Sequence, residues 1–184
     1  MFFYKEHLKE YLLVLEYADE GTLHNYLEKN FLSLDWRDKY RLAFQLSSAI
    51  ECLHDEGVVH RDLHSKSILI CRGLVKLADF GLSKRIGDIT NSGSKMFGAI
   101  PYMDPKRFGI AKKKKEKTSL EGKEKYKKSD VYSVGVLFWE LSSGKKPFDE
   151  YEYDFSLATS IMVGLRESKV EGTPKEYYNL YTSK

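Results

Sequence analysis

The chain has 184 residues, 42% hydrophobic and 14% aromatic, which is enough for one domain with a buried core. No apolar run reaches the roughly 20 residues that a membrane span needs, and Lys5 and Glu6 interrupt the N-terminus too early for a secretory signal. Cys52 and Cys71 lack the spacing of a metal site. We therefore expect a soluble cytoplasmic protein with reduced thiols.

The positive charge is concentrated in one stretch. The net charge is +3, and residues 107–128 hold ten basic residues against three acidic ones. The run Lys112–Lys115 could contact nucleic acid or an anionic membrane, but no aromatic residue interleaves it before Tyr126 and no base-reading element follows. We predict a solvated loop between two helices, exposed and mobile over 112–125, and no nucleic-acid partner.

Apolar spacing predicts the first elements in chain order. The aromatic run 2–4 can supply one strand. Asp35 can then cap a helix that ends before Gly57, and this helix leads directly into Val58 and Val59. Its apolar residues recur at steps of three and four: Trp36, Tyr40, Ala43, Leu46, Ile50 and Leu53.

Two acidic motifs follow, joined by a predicted strand pair. His60–Asp62 reads H-R-D and Asp79–Gly81 reads D-F-G. Between them, two apolar segments within 68–77 flank a turn at 71–73, which predicts two short strands.

Three more helices are predicted towards the C-terminus. The first begins at Ser129-Asp130, carries Val131, Val134, Phe138 and Leu141 on one stripe, and closes at Gly144 and Pro147. The second runs over 155–165, with Leu157, Ile161, Met162 and Leu165 at helical spacing. The third restarts after Thr173-Pro174, and we expect its three tyrosines to be packing residues: Tyr177, Tyr178 and Tyr181.

The order and spacing of these motifs resemble the catalytic core of the eukaryotic protein kinase family, of the tyrosine-kinase-like or serine/threonine type. Residues 98–106 also resemble the family's G-T-x-x-Y-x-A-P-E, and Asp130 matches the Asp that braces the H-R-D loop. The resemblance implies a protein-kinase-like α+β fold: a mainly α-helical C-terminal lobe with a short N-terminal β-hairpin. It covers nearly all of residues 1–184.

The resemblance also implies the domain organisation. Residues 1–18 match the last small-lobe strands and the hinge, 19–184 match the large lobe, and 107–128 form a Lys-rich insertion loop. Residues 10–18 resemble the last small-lobe strand running into the hinge, and since only nine residues precede them, most of the small lobe is expected to be absent. The missing parts are the glycine-rich loop, the ATP-anchoring Lys and its helix Glu. A separate small lobe or a longer parent chain is therefore an expected partner.

Residue roles follow from the motif positions. Asp62 would accept or orient the substrate hydroxyl proton, and Lys66 or His64 could approach the transferred phosphate. The resemblance assigns Asp62, Lys66, Arg61 and His60 to catalysis. It assigns Glu16, Ala18, Asp79 and Ser67 to the cofactor, with Asp79 and Ser67 as the metal ligands.

Two departures from the family pattern weaken these roles. Ser67 stands where the family has a metal-binding Asn, and a shorter hydroxyl cannot both hold Mg²⁺ and brace the loop. Lys106 replaces the Glu of A-P-E, which reverses a charge that the family pairs with an Arg. Loop hydroxyls at Thr90, Ser92 and Ser94 are candidate phosphorylation sites facing Arg61, although a solvated side chain without a modification is the favoured interpretation for each.

Two functions remain open at this stage. One is a protein kinase domain that transfers phosphate from ATP, with Mg²⁺, to protein Ser or Thr rather than Tyr, inactive as this chain alone and binding its cofactors weakly. The other is a non-catalytic, pseudokinase-like large lobe that binds or scaffolds a protein partner. A glycine-rich loop and a V-A-I-K strand encoded upstream would favour the first.

Overall fold

The computed structural model describes residues 2–5, 10–13, 15–86, 99–108 and 120–182. The strands are β1 (Phe2–Lys5), β2 (Glu10–Leu13), β3 (Val58–Val59), β4 (Ile68–Cys71), β5 (Leu74–Leu77) and β6 (Lys84–Arg85). The helices are α1 (Leu23–Asn30), α2 (Trp36–Asp55), α3 (Leu120–Ser143), α4 (Phe155–Met162) and α5 (Lys175–Thr182). Helices dominate the described residues, as expected for an α+β fold with a mainly α-helical C-terminal lobe.

The strands form antiparallel pairs: β1 with β2, β4 with β5, and β3 with β6. Phe2 lies opposite Leu13, and Ile68 lies opposite Leu77. Arg72 and Gly73 turn between β4 and β5 with φ of 51° and 71°, as the two central residues of a type I′ hairpin require. The predicted N-terminal hairpin and the predicted strand pair within 68–77 are confirmed.

Helix α2 forms where the sequence predicts it. The Asp35 side chain accepts the Asp38 backbone N–H at 2.9 Å, and the Asp38 side chain accepts the Asp35 N–H in return, which is a capping box. Gly57 follows at a φ of 69°. The helix therefore ends immediately before β3 and delivers the chain to the H-R-D motif.

Helix α3 begins earlier than the sequence predicts. It starts at Leu120 instead of Ser129, so residues 120–128 of the predicted insertion loop are helical. The sequence expectation failed because the Lys-rich turns carry no apolar stripe. Val131 belongs to the predicted apolar stripe of this helix, but its side chain is 60% exposed. The rest of the predicted mobile segment, 112–119, lies outside the described residues.

The main core lies where α1, α2, α3 and α5 meet β4. Its fully buried side chains include Leu23, Leu42, Leu46, Ile68, Leu137, Leu141 and Tyr177. Each buried aliphatic side chain of this size contributes about 1.5–3 kcal/mol relative to exposure. The Tyr177 ring lies 5.2 Å from Trp36 and 5.1 Å from Tyr40, centroid to centroid, so α5 is held on α2 by aromatic packing, as predicted for this tyrosine.

Helix α4 is shorter than predicted. It ends at Met162, and Gly164 takes a φ of 111°, so Leu165 lies beyond the helix. Leu165 still packs against a second buried cluster formed by Phe148, Leu157 and Ile161. In the part of the chain that the structure describes, no helix is both long and apolar enough to cross a membrane.

Candidate active site

The H-R-D loop connects β3 to β4, and hydrogen bonds to Asp130 of α3 hold it in position. The Asp130 carboxylate accepts the backbone N–H groups of His60 and Arg61, each at 2.9 Å. Arg61 has a φ of 73°, a left-handed conformation that costs a non-glycine residue about 1–2 kcal/mol. Hydrogen bonds to a buried carboxylate are strong enough to offset this cost. The bracing role predicted for Asp130 is confirmed.

The same carboxylate also binds a side chain of α2. His54 Nε2 lies 2.8 Å from an Asp130 oxygen, and Asp130 is 1% exposed. One carboxylate thus joins α2, α3 and the H-R-D loop. The loop geometry depends on this contact because an unpaired buried charge would be costly.

The His60 side chain lies in the core. Its Nε2 donates to the Ala78 carbonyl at 2.9 Å, and its ring lies 5.1 Å from the Phe80 ring. Ala78 immediately precedes Asp79, so His60 links the H-R-D motif to the D-F-G motif. Its contacts are those of a positioning residue.

Asp62 and Asp79 are brought together as the resemblance implies. Asp79 adopts φ 59° and ψ 59°, again left-handed. Ligand atoms of Asp62, His64 and Asp79 all lie within 4.8 Å of one another. The carboxylates of Asp62 and Asp79 are oxygen donors of the kind that suits Mg²⁺, so this acidic pair fits the metal that the family uses.

Ser67 braces the loop from inside. It is fully buried, its hydroxyl donates to the His64 carbonyl at 2.9 Å, and the same oxygen accepts the His64 N–H at 3.0 Å. Its oxygen is therefore committed to the backbone of the loop. The metal role assigned to Ser67 stays a prediction.

Of the two candidate cations, His64 is the one turned towards the acidic pair. Its Nε2 lies 3.9 Å from an Asp62 oxygen, while its Nδ1 accepts the Lys66 backbone N–H at 3.2 Å. Burial lowers the pKa of the His64 imidazole, although Asp62 and Asp79 act in the opposite direction. The Lys66 side chain is exposed.

The Arg61 side chain contacts the activation segment, which the resemblance places from Asp79 to about Lys106. Its guanidinium donates to the Leu82 carbonyl at 3.3 Å and lies 6.0 Å from the Tyr126 ring centroid. Burial lowers the pKa of Arg107, and the positive charge of Arg61 lowers it further. The candidate phosphorylation sites at 90, 92 and 94 lie outside the described residues.

The hinge is attached to the β4–β5 hairpin. The carboxylates of Asp19 and Glu20 accept the backbone N–H groups of Arg72 and Gly73, at 3.0 and 2.6 Å. These contacts fix the position of the segment in which the resemblance locates the adenine contacts.

Glu16 and Ala18, the two hinge residues assigned to adenine, each make a contact within the chain. The Glu16 side chain pairs with Lys76 at 3.2 Å, and this contact lowers the pKa of the Glu16 carboxyl. The Ala18 carbonyl accepts the Gly21 N–H at 3.2 Å. The adenine contacts assigned to Glu16 and Ala18 stay a prediction.

Sequence reasoning missed a buried polar chain beside the catalytic loop. The Tyr102 hydroxyl donates to a Glu140 oxygen at 2.7 Å and lies 3.2 Å from the Ser65 hydroxyl. Burial raises the pKa of Glu140 to about 7 and also raises the pKa of Tyr102. The sequence signal for these buried hydrogen bonds is Glu140, the one acidic residue within the apolar run 134–141 of α3.

The end of the activation segment is anchored by Asp104. Its carboxylate accepts the Lys106 backbone N–H at 2.9 Å and the Ser129 hydroxyl at 3.3 Å. The Lys106 side chain itself is exposed. Asp104 therefore ties this segment to α3 at the position where the family motif has Ala.

Comparisons with known proteins agree with this geometry. Residues 3–183 match the family described as "Protein tyrosine and serine/threonine kinase". The chain is 32% identical over 186 residues to "Probable serine/threonine-protein kinase roco8" of Dictyostelium discoideum, covering 94% of this chain and 9% of that protein.

Two further relatives carry kinase names. "Stress-activated protein kinase alpha" of Dictyostelium discoideum is 32% identical over 79% of this chain and 23% of its own length. "Mitogen-activated protein kinase kinase kinase 4" of Homo sapiens is 31% identical over 86% of this chain and 10% of its own length. The chain spans less than a quarter of each of these relatives. It belongs to the protein tyrosine and serine/threonine kinase family.

Proposed function

We propose that this chain carries the catalytic loop of a protein kinase that phosphorylates serine or threonine in protein substrates. The observation that supports this most directly is the approach of Asp62 to Asp79 on a loop braced by Asp130. Asp62 accepts or orients the proton of the substrate hydroxyl. Arg61 and His60 hold Asp62 in place through their backbone and ring contacts.

Asp79 is the residue that we propose holds magnesium, and the backbone of Glu16 and Ala18 receives adenine. Bound Mg²⁺-ATP supplies the transferable phosphoryl group and neutralises its charge. The chain's own contribution is position: Asp130 holds the H-R-D loop, and His60 holds the residue before Asp79. Such preorganised positioning accounts for most of the catalysis in this reaction class.

Serine/threonine specificity is the finer part of the proposal. The names of the Dictyostelium relative roco8 and of several others specify serine/threonine kinases. Lys66 stands four residues after Asp62, where tyrosine kinases commonly carry Arg, and His64 stands two residues after Asp62, where most serine/threonine kinases carry Lys. A protein substrate is the proposed partner, and the free thiols Cys52 and Cys71 suit the proposed cytoplasmic location.

A non-catalytic binding module is the second candidate, and Ser67 favours it. Its hydroxyl is bonded to the His64 backbone on both sides, which leaves the second metal position without the amide oxygen of the family's Asn. Under this alternative, Asp62 and Asp79 only maintain the shape of the loop.

Phosphate transfer distinguishes the two candidates. The natural polypeptide that contains this chain is incubated with labelled ATP, Mg²⁺ and a generic protein substrate, as wild type and as Asp62→Asn. We expect the variant to lose roughly a hundredfold or more of the rate. Asp55→Asn, an exposed change at the end of α2, is the matched control and should keep the wild-type rate. Equal rates for wild type and Asp62→Asn would favour the binding module.

A further inference from the structure

Asp62, His64 and Asp79 form a trio of potential metal ligands, and the resemblance assigns no metal-binding role to His64. We propose that this trio is a site for a divalent transition-metal ion, of the Mn²⁺ or Zn²⁺ class, with the His64 imidazole as one ligand. The inference deepens the proposed function and rests on it for the role of Asp79. The inference goes beyond the proposed function because it gives the metal site a nitrogen ligand and a preference for a metal other than Mg²⁺.

The distances within the trio suit a shared ion better than direct contact. His64 Nε2 and the nearer Asp62 oxygen are 3.9 Å apart, which is too long for a hydrogen bond. All three ligand atoms lie within 4.8 Å of one another. An ion whose bonds to nitrogen and oxygen are about 2.0–2.2 Å long fits between atoms separated in this way after small side-chain rotations.

The loop holds His64 in place before any ion binds. Ser67, which is buried, binds both the N–H and the carbonyl of His64, so the backbone that carries the imidazole is fixed on two sides. The same two bonds commit the Ser67 oxygen. The nitrogen of His64 is therefore the donor that the loop itself presents beside the two carboxylates.

The donor set decides the type of metal. Mg²⁺ prefers an all-oxygen shell, whereas imidazole nitrogen suits manganese, zinc and related ions. Replacing one oxygen donor by His64 therefore lowers the preference for Mg²⁺. Within the transition series, zinc is expected to bind more tightly than manganese.

Binding requires one proton to move within the imidazole. With Nδ1 accepting the Lys66 N–H at 3.2 Å, the neutral ring carries its proton on Nε2. An ion that takes Nε2 shifts this proton to Nδ1, so the ring stays neutral and no proton is released from it. The Lys66 contact that is lost is long and exposed, and water can replace it.

Occupancy by such an ion has a consequence for Asp62. A carboxylate that ligates the ion is less available to accept the proton of a substrate hydroxyl. Zinc-class ions are therefore expected to oppose the proposed activity at this site.

The test measures metal binding directly on the 184-residue chain. Mn²⁺ is titrated while the signal of the free ion is followed by electron paramagnetic resonance, and Mg²⁺ is added as a competitor. We expect wild type to bind Mn²⁺ at least tenfold more tightly than Mg²⁺. His64→Gln should weaken Mn²⁺ binding at least tenfold and leave Mg²⁺ binding within about twofold, because it removes the nitrogen ligand only.

His24→Gln is the matched control. His24 also lies beside a carboxylate, 3.3 Å from Glu28, but it is not a member of the trio. This variant should bind Mn²⁺ as wild type does. Equal losses in His24→Gln and His64→Gln would overturn the proposal, and so would wild type that binds Mn²⁺ no more tightly than Mg²⁺.

A second measurement keeps the test decisive if His64→Gln unfolds. X-ray absorption of wild type loaded with Zn²⁺ should show the outer-shell scattering of an imidazole ring, whereas a spectrum without this scattering would overturn the proposal. Neither readout needs phosphate transfer. If metal binding fails the test while the natural polypeptide transfers phosphate, only the metal-site inference is overturned. If wild type and Asp62→Asn transfer phosphate at equal rates while the metal binds as expected, the proposed kinase activity is overturned and the metal site remains.

Discussion

Asp130 and His60 are joined by a buried hydrogen bond of 2.9 Å, from the His60 backbone N–H to the Asp130 carboxylate. The two residues are 70 positions apart in sequence, so this bond closes α3 onto the catalytic loop. Together with the Arg61 N–H bond, it positions the residue that precedes Asp62. The loop that carries the candidate base is thus shaped by a helix from the far half of the chain.

The first prediction concerns this bond. Asp130→Ala removes the partner of two backbone N–H groups and of His54, and leaves them buried without an acceptor. We expect the free energy of unfolding to fall by about 3–5 kcal/mol, measured by chemical denaturation. Val131→Ala, one residue further on an exposed face, should change it by less than about 0.5 kcal/mol. Similar values for the two variants would contradict the structural role of Asp130.

A second prediction follows from the buried carboxyl of Glu140, whose pKa burial raises to about 7. His24, Tyr102 and Lys146 face this group from its surroundings. Because the folded chain binds the proton more tightly than the unfolded one, this contribution to stability is complete below about pH 4.5 and is lost as pH rises through about 7.

The measurement is the free energy of unfolding between pH 5 and pH 8 for wild type and for Glu140→Gln. We expect the decline with pH to be smaller in the variant, because Gln cannot titrate and still accepts the Tyr102 hydroxyl bond. Glu28→Gln, at an exposed carboxyl, should follow wild type. Parallel curves for wild type and Glu140→Gln would show that Glu140 does not titrate in this range.

A third prediction concerns Gly144, which follows α3 at a φ of 67°. A Cβ at this position would lie 2.4 Å from the Phe31 ring, so Gly144→Ala combines backbone strain with a clash. We expect a loss of about 2–4 kcal/mol in stability by thermal or chemical denaturation.

Gly172→Ala is the control for Gly144. Gly172 has a similar φ of 77°, but no atom lies within 4 Å of the added Cβ. Only the strain remains, at about 1–2 kcal/mol. Equal losses at the two glycines would show that the Phe31 ring moves aside without cost.

The fourth prediction is that the 184-residue chain, expressed alone, transfers no more phosphate to protein than its Asp62→Asn variant. These 184 residues contain no G-x-G-x-x-G and no V-A-I-K, and Ser67 replaces a metal-binding Asn. Loss of one preorganised electrostatic group typically costs roughly a hundredfold or more in rate. Magnesium-dependent transfer from labelled ATP that Asp62→Asn abolishes would refute the prediction, and Lys5, Lys9 and Lys66 would then be the first residues to replace.

Local sequence signals predicted much of the fold. Helix α2 was predicted to within a few residues because its cap, its apolar spacing and its terminal Gly57 all agree. The start of α3 was not predicted, because its first turns are Lys-rich and carry no apolar period. Once the later turns of α3 have formed, adding the Lys-rich turns at its N-terminal end needs no new nucleation. A local apolar pattern does not reveal this extension.

Part of the candidate site was likewise predictable from the sequence, and part was not. The motif residues His60–Asp62 and Asp79–Gly81, and with them the family, were predictable from the sequence, because these motifs require specific side chains at specific spacing. Three-dimensional packing was needed to show that His64, rather than Lys66, faces the two acids, and that the Ser67 hydroxyl binds the loop backbone. Packing also showed that Tyr102 joins Ser65 to Glu140. These relationships depend on backbone direction and on contacts between residues far apart in the chain, which no local pattern encodes.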